Sequence, residues 1–201
     1  MTHTVIVPGV GGSEHAHWQS WLQRQLMSCS RVEQQDWHLP VLETWVEQFQ
    51  RTLTTIDAPI QIVAHSFGCL TTLAALNQFP ALQSKIKNVV LVAPANPRRF
   101  GPLGFAKNSP HDYWTQFCAM KITQPTHLLI SENDPWLSLN DATALAKAWK
   151  IRPNNLGAVG HINVASGFGP FPQIYDFLLP QQEQQHINIT DDNKYLFRFA
   201  I

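Results

Sequence analysis

At 201 residues the chain has the length of one domain and enough material for a substantial core. Hydrophobic residues make up 44% and charged residues 14%, and Lys plus Arg equals Asp plus Glu at 14 each. That balance excludes a disordered chain and offers no sequence-wide attraction to nucleic acid or anionic membrane, so a small or neutral molecule is the expected partner.

The N-terminus, Met1–Pro8, lacks a basic segment, and its apolar run is too short for a signal peptide. No stretch approaches the roughly eighteen apolar residues of a membrane span. Thr4–Val7 reads as a short buried strand, followed by the glycine loop Pro8–Gly9–Val10–Gly11–Gly12–Ser13. That loop lacks the Lys-Ser/Thr of a phosphate-binding loop and does not complete G-x-G-x-x-G, which argues against a nucleotide. Trp18, Trp21, Leu22 and Leu26 follow at helical spacing, and Arg31–Gln35 is placed as a second strand only by its position in the alternation. Leu42, Trp45, Val46, Phe49 and Leu53 repeat as one apolar helical face.

Ile60–Ala64 is the next strand, and a helix-like stretch runs from Phe67 to Phe79. Val89–Ala93 and Thr126–Ser131 are continuous apolar runs of the kind found in parallel strands covered on both faces. Ala142, Leu145, Ala146 and Trp149 form a further helical face, and a last helix is expected from Pro172 with Ile174, Phe177 and Leu178. Strands alternating with helices predict an α/β domain with a mainly parallel sheet and helices on both faces. Two segments break the rhythm. Pro94–Pro110 is a long irregular connection, and loops this long inside a compact domain are usually functional or disordered. The domain is expected over 1–180, with 181–201 as a tail that is either a late edge hairpin or disordered.

The three cysteines, Cys29, Cys69 and Cys118, are scattered and form no C-x-x-C pair, so neither a disulfide framework nor a zinc site is expected and a reducing cytoplasm is the default. His15 and His17 lie two apart at a helix start and point to different sides, which argues for solvated or pocket-rim residues and not metal ligands.

The densest signal is Ala64–His65–Ser66–Phe67–Gly68 between strand and helix. Small residues two before and two after a serine permit a turn sharp enough to expose its hydroxyl, which makes Ser66 the candidate nucleophile. A serine needs a base, and a histidine that takes up a proton near neutrality is the usual one. His161, in Ala158–Asn163, is expected after the last strand, at the same sheet edge as Ser66. Asp134, just after the Thr126–Ser131 strand, is the candidate acid, with Glu132 as a lesser alternative. The order Ser66, Asp134, His161 is that of α/β-hydrolases. Oxyanion donors are expected from the Phe67 N–H and from the glycine loop, at Val10 or, failing that, Gly11. His65 adjoins the nucleophile, but the elbow turns neighbouring side chains apart, so a structural role is favoured for it. Cys69 is expected in the core.

With these residues in place, the chain resembles the small, lidless α/β-hydrolases grouped with retinoblastoma-binding protein 9 and their bacterial relatives. The likeness spans roughly Thr4 to Leu179 and rests on V-x-V-P-G-x-G-G, H-S-x-G-C, S-x-N-D-P and G-H-I-N, in that order. It implies a single-domain α/β-hydrolase-like fold and a serine hydrolase with Ser66 as nucleophile, Asp134 as acid and His161 as base. The tail after Pro180 departs from it. No cysteine here has the L-x-C-x-E context with which the mammalian member is associated, so that partner is not carried over.

The expected function is hydrolysis of small carboxylic esters through an acyl-enzyme, with no cofactor or metal. A thioesterase or amidase would use the same residues, and a non-catalytic binding module on a hydrolase fold is the alternative from another class. Gly11, His65, Asn96, Phe100 and Trp136 are the expected pocket residues, with Arg98, Arg99, Leu103 and Phe105 on the same connection. A shallow site for small or extended acyl groups follows from one loop standing in place of a cap domain.

Overall fold

Continuous apolar runs become the buried middle of a sheet, and the amphipathic segments between them become its covering helices. The computed structural model describes residues 1–106 and 112–179. In chain order the strands are β1 (His3–Val7), β2 (Cys29–Arg31), β3 (Ile60–Ser66), β4 (Ile86–Pro94), a small hairpin of β5 (Phe100–Gly101) and β6 (Gly104–Phe105), then β7 (Thr126–Ile130) and β8 (Pro153–Asn155). Six of them form one parallel sheet in the order β2-β1-β3-β4-β7-β8. The helices are α1 (Trp18–Gln25), α2 (Leu42–Thr54), α3 (Phe67–Gln78), α4 (Trp114–Ala119) and α5 (Leu139–Trp149).

Alternation along the strands divides the core in two. Ile62, Ala64, Val89 and Leu91 face α2, α3 and α5, while Val63, Val90, Val92 and Leu129 face α1 and the C-terminal segment with Phe171 and Ile174. On α2 the stripe Leu42, Trp45, Val46, Phe49 and Leu53 is buried as its spacing predicts. Each such side chain contributes about 1.5–3 kcal/mol of hydrophobic burial. The sheet turns back on itself in strand order between β1 and β3, and the crevice beyond the carboxyl ends of such strands is where ligands bind in this architecture.

Three expected elements differ. The second strand is Cys29–Arg31, not Arg31–Gln35. It pairs Cys29 with Thr4 and Arg31 with Ile6 at the sheet edge, where half-buried polar residues suffice and no apolar run marks the strand. The last strand ends at Asn155, so Leu156–Gly160 intervene before His161; it opens on Pro153, which an edge strand tolerates. The last helix is a 3₁₀ segment, Pro172–Phe177, that excludes Leu178. Asn88 Nδ2 donates to Phe177 O at 2.7 Å and Leu179 N–H donates to Gln61 Oε1 at 2.9 Å, so side chains of β4 and β3 take up the backbone where a helix would continue. Helix α4 and the β5–β6 hairpin lie in stretches where the sequence pattern marks no element. The tail 181–201 and the domain boundary at 180 lie outside the described residues, as does the end of the Pro94–Pro110 connection.

Candidate active site

The turn between β3 and α3 carries Ser66 with φ 54° and ψ −121°, a strained conformation for a residue with a side chain. Ala64 is fully buried, and a Cβ on Gly68 would meet the carbonyl oxygen of Pro8 at 2.5 Å, so the helix packs on the end of β1 only because position 68 has no side chain. The small residues flanking the serine therefore act as the pattern predicts.

His161 and Asp134 arrive from the loops after β8 and β7. His161 Nδ1 lies 2.8 Å from Asp134 Oδ2 and 3.0 Å from Oδ1, and His161 Nε2 lies 2.9 Å from Ser66 Oγ. The carboxylate can only accept, so Nδ1 carries the proton and the Nε2 lone pair faces the serine hydroxyl. Asp134 also accepts from the Trp136 N–H at 2.8 Å. Asp134 and His161 are both buried, whereas Glu132 is exposed and accepts from Asn155 Nδ2 at 3.0 Å, away from the imidazole. The geometry thus brings Asp134, and not Glu132, to the imidazole.

The loop that presents His161 is braced from three sides. Gly160 N–H donates to Asn133 Oδ1 at 2.7 Å, Trp18 Nε1–H to Ile162 O at 2.8 Å, and His65 Nε2–H to His161 O at 2.9 Å. His65 is buried between the rings of His17 and His161, each 4.9 Å away centroid to centroid. Burial, then the neighbouring His161 and His17, hold its pKa well below the ordinary histidine value. It stays neutral and supports the backbone of His161, in keeping with the structural role expected of it. His17 is the N-cap of α1 through Gln19 N–H donating to its Nδ1 at 3.1 Å. Burial, then Arg31 and His161, lower its pKa to about 4. Cys69 is fully buried, and burial pushes its thiol pKa up, which leaves it inert.

At the glycine loop, Gly11 N–H donates to Trp37 O at 2.9 Å and Gly12 N–H to Gly9 O at 3.0 Å. The fallback donor is therefore engaged. Phe67 stands at the first position of α3, where a backbone N–H has no intrahelical partner.

A cavity of about 360 Å³ opens over Ser66 and His161. Of the expected pocket residues Gly11, His65, Phe100 and Trp136 line it, Val10 of the glycine loop lies beside them, and Arg99 and Phe105 join them from the β4–α4 connection. Asn96 does not line it: its Nδ2 donates to Asp141 Oδ2 at 3.0 Å, and its Oδ1 accepts from Arg98 N–H at 3.0 Å as an N-cap. The turn set by Pro97 directs that side chain toward α5 instead of the cavity. Ser13, Ala95, Asn163, Val164 and Ala165 also line the cavity. Their only sequence signal is adjacency to the loops that carry the expected site residues.

Sheet order, elbow and site together define an α/β-hydrolase. Solved structures agree: a YdeN-like hydrolase from Pectobacterium atrosepticum superposes with a TM-score of 0.73 at 31% identity, covering 88% of this chain and 90% of that one. The ydeN gene product of Bacillus subtilis superposes with a TM-score of 0.66 at 19% identity over 88% and 96% of the two chains, a likeness of fold. By sequence, the YdeN protein of Bacillus subtilis strain 168 is 25% identical over 186 residues, 86% of this chain and 92% of its own length. The profile of the serine hydrolase family matches residues 4–180, and the chain belongs to that family. Among the described residues no helix is long and apolar enough to cross a membrane.

Proposed function

We propose that this serine hydrolase cleaves small carboxylic esters through an acyl-enzyme on Ser66. The observation that carries the reading is the continuous line Ser66 Oγ–His161 Nε2 (2.9 Å) and His161 Nδ1–Asp134 Oδ2 (2.8 Å), at the carboxyl edge of the sheet and open to a cavity. Ser66 Oγ attacks the ester carbonyl as its proton passes to His161 Nε2, and the Asp134 carboxylate stabilises the imidazolium. The negative oxygen of the tetrahedral intermediate is held by the N–H groups of Phe67 and Val10. Collapse breaks the carbon–oxygen bond to the alcohol, which leaves with the proton of His161. Water then attacks the acyl-serine as its proton passes to His161 Nε2, and collapse breaks the acyl–Oγ bond, the proton of His161 returning to Ser66 Oγ as the acid leaves.

The pocket supports small acyl groups. Its volume is at the low end of ligand sites, and its walls include Ala95, Phe100, Phe105 and Val164. The span from Ala95 to Tyr113 between β4 and α4 is too short for a separate cap domain, which supports the lidless type grouped with retinoblastoma-binding protein 9. The same geometry serves a thioester or an amide, because the leaving group is not written into the triad. Three free thiols support a cytoplasmic setting.

The test is turnover of p-nitrophenyl esters from acetate to octanoate by wild type and Ser66→Ala. Acetate and butyrate should be cleaved faster than octanoate, and Ser66→Ala should cleave none of them. A long-chain preference removes the small-acyl assignment, and a folded wild type inert to esters but active on thioesters or amides reassigns the leaving group.

A further inference from the structure

The loop that carries Val10 has an unusual backbone. Gly11, Gly12 and Ser13 follow one another at φ 85°, 74° and 52°, all in the left-handed region, and Ser13 bears a side chain there. Such a run costs conformational energy and persists only where its surroundings fix it. At Gly12 an added Cβ would stand 2.8 Å from the Trp37 ring, so that position packs against Trp37 only without a side chain.

The left-handed run turns the carbonyls of Gly12 and Ser13 toward one cation. Arg31 Nη1 donates to Gly12 O at 2.7 Å and to Ser13 O at 3.3 Å. Its Nη2 donates to Ser20 Oγ at 2.7 Å, and its Nε to Gln23 Oε1 at 2.8 Å. Ser20 Oγ–H in turn donates to Ser13 O at 2.6 Å. Beneath it, Ser13 Oγ–H donates to Gln19 Oε1 at 2.7 Å, and Gln19 Nε2 donates to Val7 O, at the end of β1, and to Val63 O, in the middle of β3. Among the described residues Arg31 makes no ion pair within 4.0 Å, so a half-buried guanidinium is spent on two carbonyls and two helix side chains. It sits at the carboxyl end of edge strand β2, beside β1, where it reaches loop and helix at once.

From this geometry we infer that Arg31 is the positioning residue of the oxyanion loop: it fixes the left-handed run Gly11–Ser13 and thereby aims the Val10 N–H at the reacting carbonyl. It touches no substrate and is absent from the cavity lining. The planar fork is needed, since one ammonium cannot span both carbonyls and both helix side chains. The inference rests on the oxyanion role proposed for Val10.

The test compares wild type, Arg31→Lys and Arg31→Gln by two readouts. The first is independent of turnover: hydrogen exchange of the Gly11 and Gly12 amides, which donate to Trp37 O and Gly9 O. In Arg31→Gln their exchange should quicken at least about 10-fold, while amides of β3 stay unchanged. The second is a split in the kinetics on p-nitrophenyl butyrate. With active sites counted by titration, kcat should fall roughly 10- to 100-fold, short of or equal to the loss of one oxyanion donor, with KM nearly constant. Affinity for a trifluoromethyl ketone, whose adduct places an anionic oxygen in the same hole, should fall in parallel, and Arg31→Lys should lie between. Unchanged loop exchange overturns the inference whatever the kinetics, as does faster exchange with unchanged kcat. A wild type that hydrolyses no ester sinks the proposed function instead, and the exchange readout still decides the role of Arg31 in the loop.

Discussion

On one side of the cavity the segment Gly9–Ser13 is tied by directional polar bonds to Trp37 O and to the Arg31 and Gln19 side chains. On the other side, Phe100, Phe105, Arg99 and Trp136 meet through ring faces: Phe100 on Phe67 at 4.5 Å, Phe105 on Phe100 at 5.3 Å, and the Arg99 guanidinium 4.2 Å over Trp136. Phe105 and Trp136 remain partly open to solvent, 42% and 44% exposed. Hydrogen bonds fix position to within tenths of an ångström, whereas stacked rings tolerate sliding at small cost. In the proposed reaction the first wall holds the oxyanion donor in place and the second selects the acyl group, a division that substitutions can test.

Substitutions separate the two walls by the size of their effects. Ser66→Ala should lower ester turnover by about 10⁴-fold or more with the melting temperature nearly unchanged, since the side chain is only part-buried and removing Oγ leaves no buried partner but His161. Asp134→Asn should cost about 10³- to 10⁴-fold in kcat, because an amide facing Nδ1 favours the tautomer that turns a proton toward Ser66. Circular dichroism and active-site titration of both variants check that the fold survives.

An intermediate effect lies behind the triad, in stability instead of rate. His17 and His65 are held neutral chiefly by burial, with Arg31 adding to the effect at His17, so their folded pKa values lie below the unfolded ones. The unfolded chain then binds more protons at acid pH. Their contribution is fully present above pH 6.5 and is lost as pH falls from 6.5 toward the His17 value of about 4. For His17 that difference amounts to roughly 3 kcal/mol at its limit. Urea unfolding at pH 7.5, 5.5 and 4.5 should show the loss. His17→Asn retains an N-cap and should flatten the slope. An unchanged slope would remove His17 from the account.

The smallest change is expected on the selective wall. Phe105→Ala should leave kcat on the acetate ester within about twofold and raise the octanoate-to-butyrate ratio of kcat/KM by about 3- to 10-fold, the scale of a few methylenes in an apolar pocket. A fall in acetate turnover comparable to that of Asp134→Asn would erase the contrast between the walls.

The sequence made the tied wall only half legible. Strands β3 and β4 stand out because both faces are buried at their centres, which leaves the apolar runs Ile62–Ala64 and Val89–Ala93, and the elbow stands out because Ala64 and Gly68 must be small. Strand β2 carries Arg31 yet shows no apolar pattern, since an edge strand of polar residues satisfies its ladder without burial. The role of Arg31 depends on carbonyls brought together by three left-handed residues, and periodicity does not record which way a carbonyl points. On the selective wall, Phe100 follows a strand at the right edge and is found in the cavity. Asn96, nearer the strand, is turned away by the 3₁₀ turn it caps. The C-terminal 3₁₀ segment reads as a helix because its apolar spacing fits one; the bonds from Asn88 and Gln61 that end it come from distant strands.

The central claim is that Ser66 is a nucleophile activated by His161. Fluorophosphonate labelling tests it most directly, with the modified peptide located by mass spectrometry in wild type, Ser66→Ala and His161→Ala. The account predicts one label on Ser66 in the wild type and none in either folded variant. Label on another residue, or label that persists in Ser66→Ala, would contradict it.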